Sequence, residues 1–192
     1  MINTRIKLEE YIKQDAIANH RCTVKANLLG DDLWKFQVYM RKSEYYYNLC
    51  KLGRKYLLPL YYFWYYKFRK KSNKLNISFP LNIAKKGLSI AHSGTIVVSS
   101  NATIGENCRI HEGVTIGATN GEAQAANIGN NVFIASGAKI IGNIKIADDV
   151  AIGANAVVVK SILENGTTWG GVPAHKISTK NSHANLDSRL FE

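Results

Sequence analysis

The chain has 192 residues, 46% of them apolar and 20% charged, which is enough to bury a core without staples and too apolar for global disorder. Its three cysteines, Cys22, Cys50 and Cys108, show no CxxC and no paired spacing, which argues against a disulfide scaffold or zinc finger and fits a reducing, cytoplasmic compartment. The formal charge of +11 is uneven, at +10 for residues 1–75 and +1 for 76–192, so the basic character belongs to one segment and no nucleic-acid motif accompanies it.

The first twenty residues, MINTRIKLEEYIKQDAIANH, are charged and lack the apolar stretch of a secretory signal. Residues 4–19 and 31–51 are expected to be helical, the second with a stripe of Phe36, Tyr39, Met40, Tyr47 and Cys50, and Gly30 and Gly53 mark its ends. A third helix is expected from near Tyr56 to Lys71, with Pro59 tolerated in its first turn. Its run Tyr56–Tyr66 is too short to span a bilayer. That run is apolar nearly all round, which predicts burial on several sides, against the rest of the chain and sister subunits. The alternative is a peripheral membrane helix over 54–71, with Arg69, Lys70 and Lys71 meeting anionic lipid. All ten tyrosines lie at or before Tyr66, so two regions with different composition meet near residue 75.

Beyond that boundary an aliphatic residue recurs every six positions: Ile104, Ile110 and Ile116, then Ile128, Ile134, Ile140, Ile146, Ile152 and Val158. Four residues after most of these comes a second small or aliphatic residue, such as Cys108, Val114, Val132 and Ala138. A period of six is neither helical nor the alternation of a hairpin strand; it is the mark of hexapeptide β-helix repeats, one short strand and turn per hexad and three hexads per coil. The fold class is therefore mainly β, a parallel β-helix with an N-terminal α-helical region. The expected division is a helical region over 1–75, the β-helix over 76–168, and a C-terminal turn and tail over 169–192. Between Ile116 and Ile128 the sixfold phase skips a step at Glu122, which predicts a loop thrown out of the coil.

The stretches LSIAHSGTIVVSSNATIGENCRIHEGVTIGAT, NIGNNVFIASGAKIIGNIKIADDVAIGANAVVVKS and WGGVPAHKI resemble the serine acetyltransferase branch of the hexapeptide acyltransferases over about residues 76–178. The resemblance implies a left-handed coil, the rare exception to the handedness of parallel β connections. It also implies a homotrimer with acetyl-CoA bound between neighbouring subunits. His92, in Ile90-Ala-His-Ser-Gly-Thr-Ile-Val-Val, matches the family's catalytic base. An imidazole suits that task, since it can take a hydroxyl proton near neutral pH for a gain of roughly 10²–10⁴ in rate. The bland alternative for His92 is an outward polar residue on a coil.

For the cofactor, the family's backbone contacts fall on Gly117, Ala118, Ser136 and Ala154, whose small side chains also suit tight corners, and Lys160 and Lys176 are candidate phosphate contacts. His111 is expected to face outward and to line the acceptor cleft; His20, His175 and His183 read as surface or tail residues. Serine acetyltransferases carry an Asp just before the catalytic His and an Arg-His pair in the loop. Here those places hold Ala91 and residues near Gln124 and Ala125. Without those charges a zwitterionic acceptor is poorly held. The reading is therefore O-acetyl transfer to a sugar hydroxyl of a capsular or exopolysaccharide unit, with serine as the alternative acceptor. The same coil hosts zinc-dependent γ-type carbonic anhydrases, but His92 and His111 come without a His-x4-His pair, so no metal is expected.

Overall fold

The computed structural model describes residues 1–27, 29–119, 121 and 123–192. Three α-helices come first: α1 (Arg5–Ala18), α2 (Asp32–Lys51) and α3 (Leu58–Leu75). Thr4 caps α1 by accepting from the Lys7 N–H at 3.2 Å. Pro59 sits in the first turn of α3, and Asn76, left-handed at φ 56°, ends that helix four residues beyond the expected Lys71. No helix among the described residues is long and apolar enough to cross a membrane.

The expectation that α3 is buried on several sides is not met within one chain. The helix packs one face on α2, through Phe36–Phe68, Tyr39–Trp64 and Tyr47–Tyr61 at ring separations of 5.3, 5.6 and 5.5 Å. Its other face leaves Tyr62, Phe63 and Tyr66 exposed. Tyr62 and Tyr66 carry hydroxyls that water can solvate, whereas the exposed Phe63 has no polar group.

The remaining chain winds through three sheets of very short strands. One sheet holds β1 (Ile77–Ser78), β3 (Ile96–Val98), β6 (Thr115–Gly117), β9 (Lys139–Ile141) and β12 (Val157–Val158). A second holds β4 (Thr103–Ile104), β7 (Asn127–Ile128) and β10 (Lys145–Ile146). The third holds β2 (Ser89–Ile90), β5 (Arg109–Ile110), β8 (Phe133–Ile134), β11 (Ala151–Ile152), β13 (Thr168–Gly170) and β14 (His175–Ser178). All pairings are parallel except β13 with β14, so successive strands step from sheet to sheet around a three-sided coil.

The periodic residues meet in columns inside it. Ile110 pairs with Ile134 and Ile134 with Ile152; Ile104 pairs with Ile128 and Ile128 with Ile146; all are buried. One corner is stitched by a side-chain ladder, Asn107 to Asn131 and Asn131 to Asp149, each bond 2.9 Å, with all three residues left-handed. At Gly105 a Cβ would lie 2.3 Å from the Gly129 carbonyl oxygen, so only glycine lets those coils stack. Strand β6 ends at Gly117 and β7 begins at Asn127. Ala125 and Ala126 are already in the core, whereas Asn120 and Glu122, on which the loop expectation centred, lie outside the described residues.

A buried ionic cluster joins the helices to the coil. Arg41, fully buried on α2, donates to Asp15 of α1 at 2.7 Å and to Glu44 at 3.0 Å, and also to the carbonyls of Ala84 and Lys85. The two carboxylates in turn accept the Leu88 and Asn82 N–H groups. Burial pushes the Asp15 and Glu44 carboxyls up, against the pull of the single guanidinium.

Two stability outcomes follow from these contacts. Ile134→Ala, which removes an inner member of the Ile90–Ile110–Ile134–Ile152 column, should cost about 2–5 kcal/mol in denaturant unfolding; a loss near zero would contradict the packing described. Asp32 at the start of α2 pairs with Lys71 and, at 2.5 Å, with Lys74, and hydrogen bonding to these two ammoniums lowers its pKa from 3.8 to about 2. Its contribution is therefore present above about pH 4 and lost as pH falls through about 2. The melting-temperature gap between the native chain and Asp32→Asn should close over that window, and a gap independent of pH would exclude the ion pairs as its cause.

Candidate active site

Strands β2 and β5 pair with Ser89 opposite Arg109 and Ile90 opposite Ile110. With Ile90 and Ile110 committed to the core, alternation sends Arg109 and His111 outward on one face, and His92 follows two residues after Ile90. The imidazoles of His92 and His111 meet edge to face, 5.4 Å between centroids and 74° between planes. His111 also meets the ring edge of Phe133 from β8 at 5.2 Å. Gly94 makes this approach possible: at φ 151°, a Cβ there would sit 2.8 Å from Glu112 Cβ.

On one side of His111 stands Glu112, whose Oε2 is 3.9 Å from His111 Nδ1. That oxygen is buried without a hydrogen-bond partner among the described residues. The Ser136 hydroxyl hydrogen-bonds the Glu112 carboxylate and holds its pKa below the ordinary value. On the other side Arg109 Nε points at His111 Nε2 from 3.5 Å, and Arg109 Nη1 lies 2.8 Å from His20 Nε2. His20 Nδ1 is 2.7 Å from the Asp187 carboxylate, which Arg189 also grips at 2.6 Å and keeps strongly acidic. A row therefore runs His20, Arg109, His111, His92, drawn from the end of α1, from β5 and from the chain after β2.

The row fixes protons. With Nε2 turned to an Arg N–H, neutral His111 carries its proton on Nδ1, toward Glu112. Burial and the nearby Arg109 charge both lower its pKa. The donor atoms of His92, His111 and Glu112 lie within 4.8 Å of one another, a set that in kind could hold a divalent ion. Arg109 opposes it, by placing the proton on the His111 nitrogen that would bind and by adding a positive charge alongside.

The expected cofactor residues fall into two places. Ser136 and Ala154 belong to the corner that also carries Glu112, stacked through Gly137 N–H to Glu112 O and Asn155 N–H to Ser136 O, both 2.9 Å. Gly117 and Ala118 lie at the far end of β6, on a different corner of the coil. Lys160 is exposed after β12, while Lys176 is bound to Glu164 at 2.5 Å. Ala91 is half-buried beside the histidines, but Ala125 is in the core and presents no side chain to a cleft, because the chain has turned inward two residues before β7. Of the residues read as bland, His175 is exposed on β14 and His183 is tied to Asp149, but His20 is part of the row. Arg109 and Glu112 escaped the sequence reading too, although Arg109 sits two residues before His111 and so shares its face.

The chain is similar to known transferases in sequence and in fold. Residues 125–160 match the family described as bacterial transferase hexapeptide (six repeats). A serine acetyltransferase of Staphylococcus epidermidis is 42% identical over 116 residues, covering 56% of this chain and 54% of the relative, and one from Staphylococcus aureus is 39% identical over the same span. The chain thus spans about half the length of the curated relatives it matches. Among solved structures, the serine acetyltransferase of Brucella abortus superposes with a TM-score of 0.71 at 26% identity, over 92% of this chain and 71% of that one. This chain resembles the serine acetyltransferases. The Brucella enzyme has also been solved with coenzyme A, at the same score and identity over 92% and 70% of the two chains. The serine acetyltransferase of Neisseria gonorrhoeae, solved with serine, superposes at 0.62 and 25% identity over 88% and 69%.

The arrangement of charges around His111 gives a direct spectroscopic outcome. Its ring protons should titrate with a midpoint below the ordinary 6.5 in NMR, and Arg109→Gln should move that midpoint upward. A native midpoint at or above 6.5 would remove Arg109 from control of this imidazole.

Proposed function

We propose that this chain is an acetyl-CoA-dependent O-acetyltransferase with His92 as general base. The observation that carries the reading is the place of His92, beside His111 and on the coil corner where Glu112, Ser136 and Ala154 stack below it. In the proposed step the acceptor hydroxyl oxygen attacks the thioester carbonyl while an imidazole nitrogen of His92 takes its proton. The tetrahedral intermediate then collapses, the carbon–sulfur bond breaks, and the departing sulfur takes the proton to leave as the free coenzyme thiol. Backbone N–H groups beside Ser136 and Ala154 would steady the oxyanion.

The coil is proposed to be left-handed and the active unit a homotrimer. Gly117 and Ala118 stand on a different corner from Ser136 and Ala154, and this separation supports a coenzyme shared between two chains. The exposed aromatic face of α3 is available to a sister subunit or to lipid. Lys71, one of the three cations expected at a membrane, is already engaged by Asp32.

For the acceptor, the names of the relatives support serine, and with it a place in cysteine biosynthesis. A specific observation favours a second reading, a sugar hydroxyl: Ala91 and the Gln124–Ala125 stretch carry none of the charges expected to hold an amino acid, and Ala125 is turned into the core. Both readings share the same first test. His92→Ala should lower acetyl transfer by at least about 10² while the coil stays folded; near-native turnover would give the base to His111. Side-by-side transfer to L-serine and to a glycan repeat unit then decides the acceptor, and efficient serine acetylation without sugar activity ends the sugar reading.

A further inference from the structure

Among the described residues, Arg109 is a half-buried cation with no anion paired to it. Its neighbours at hydrogen-bond distance are His20 Nε2, Ser89 Oγ and His111 Nε2, none of them a carboxylate. Among the described residues no Asp or Glu oxygen comes within ion-pairing distance of it. The nearest carboxylate in the row, Asp187, is already shared between Arg189 and His20, and Glu112 lies on the opposite side of His111. A guanidinium withdrawn from water is costly unless paired, and its planar fork matches a carboxylate. No partner stands on Arg109 Nη2 among the described residues.

We propose that Arg109 is the anchor for a carboxylate on the acceptor, and that the acceptor is an acidic sugar such as a hexuronic acid unit. The inference rests on the acetyl-transfer reading of His92 and names the substrate class of that same site. Its geometry comes from the row. The ring of His111 stands between Arg109 and His92, so an acceptor gripped at Arg109 must reach past the width of an imidazole to offer its hydroxyl to His92. A hexuronic acid carries its carboxylate across the pyranose ring from its hydroxyls and has that reach. Serine holds its hydroxyl and carboxylate only two carbons apart and does not. His20, fixed by Asp187 with its Nε2 toward Arg109, holds the guanidinium in place and leaves its outer edge for the ligand.

The test uses the full chain, acetyl-CoA and three acceptors: methyl glucuronide, its neutral isostere methyl glucoside, and L-serine. The native protein should show a KM for the glucuronide at least about tenfold below that for the glucoside, the worth of one charged hydrogen-bond pair. Arg109→Gln should erase that preference, and Arg109→Lys, which keeps the charge without the fork, should restore part of it. Coenzyme A affinity measured by calorimetry shows that each variant is folded. No native preference for the glucuronide, equal damage to both sugars, or serine as the preferred acceptor overturns the proposal. If the native protein binds coenzyme A but acetylates none of the three, the failure lies with acetyl transfer to these acceptors and not with the subsite. The subsite is then read by NMR: glucuronate should shift the ring signals of His20 and His111 in the native chain and not in Arg109→Gln, and an absence of shifts in the native chain overturns it.

Discussion

Arg41 is the contact on which the arrangement of the two halves depends. It is the largest fully buried side chain among those described, and its bonds end on three pieces: α1 through Asp15, its own helix through Glu44, and the coil through the carbonyls of Ala84 and Lys85. Two carboxylates share one guanidinium, and backbone N–H groups of Leu88 and Asn82 complete their hydrogen bonding. Breaking such a buried set by removing one partner costs about 3–5 kcal/mol, because uncompensated charge is left behind. Around it Asn19 and Gln37 both donate to the Leu88 carbonyl, at 3.1 and 2.7 Å. That docking brings the end of α1, and with it His20, to the edge of β5. The candidate site is thus built on the coil but completed by the helices.

The legibility of the structure follows the same division. The coil was readable because each turn repeats one demand, an aliphatic side chain inward every six residues, and the Ile columns satisfy it with near-complete burial. His111 was readable as outward because it directly follows the inward Ile110, and His92 because the residues around it resemble a family's catalytic pattern. The His20–Arg109–Asp187 chain was not. Its members lie 89 and 167 residues apart in sequence, and no period relates them. Only the docking of α1 and the return of the C-terminal tail, where Arg189 also reaches the Arg21 carbonyl, bring them together. Ala125 was misplaced for a related reason: a repeat states where the coil resumes a strand, not how many residues earlier the chain turns inward. For α3, composition registered the apolar run but not which of its faces α2 would cover.

The pairing of the two histidines has an electrostatic consequence for the proposed chemistry. As His92 takes the acceptor proton it becomes a cation, 5.4 Å from the His111 ring centre. Were His111 also protonated, the repulsion at that separation would be about 3 kcal/mol at an effective dielectric of 20, enough to cancel most of the benefit of a general base. Burial and Arg109 both favour neutral His111, which keeps that ring as a fixed dipole with its N–H toward Glu112. The Glu112 carboxylate, kept ionised by the Ser136 hydroxyl, then offers the new imidazolium a counter-charge on the coil corner. Arg109 is thereby asked to do two compatible things: it sets the state of His111 from within the protein and presents its remaining N–H groups outward. An acidic acceptor bound there would offset the positive charge that Arg109 adds to the site just as His92 gains its own.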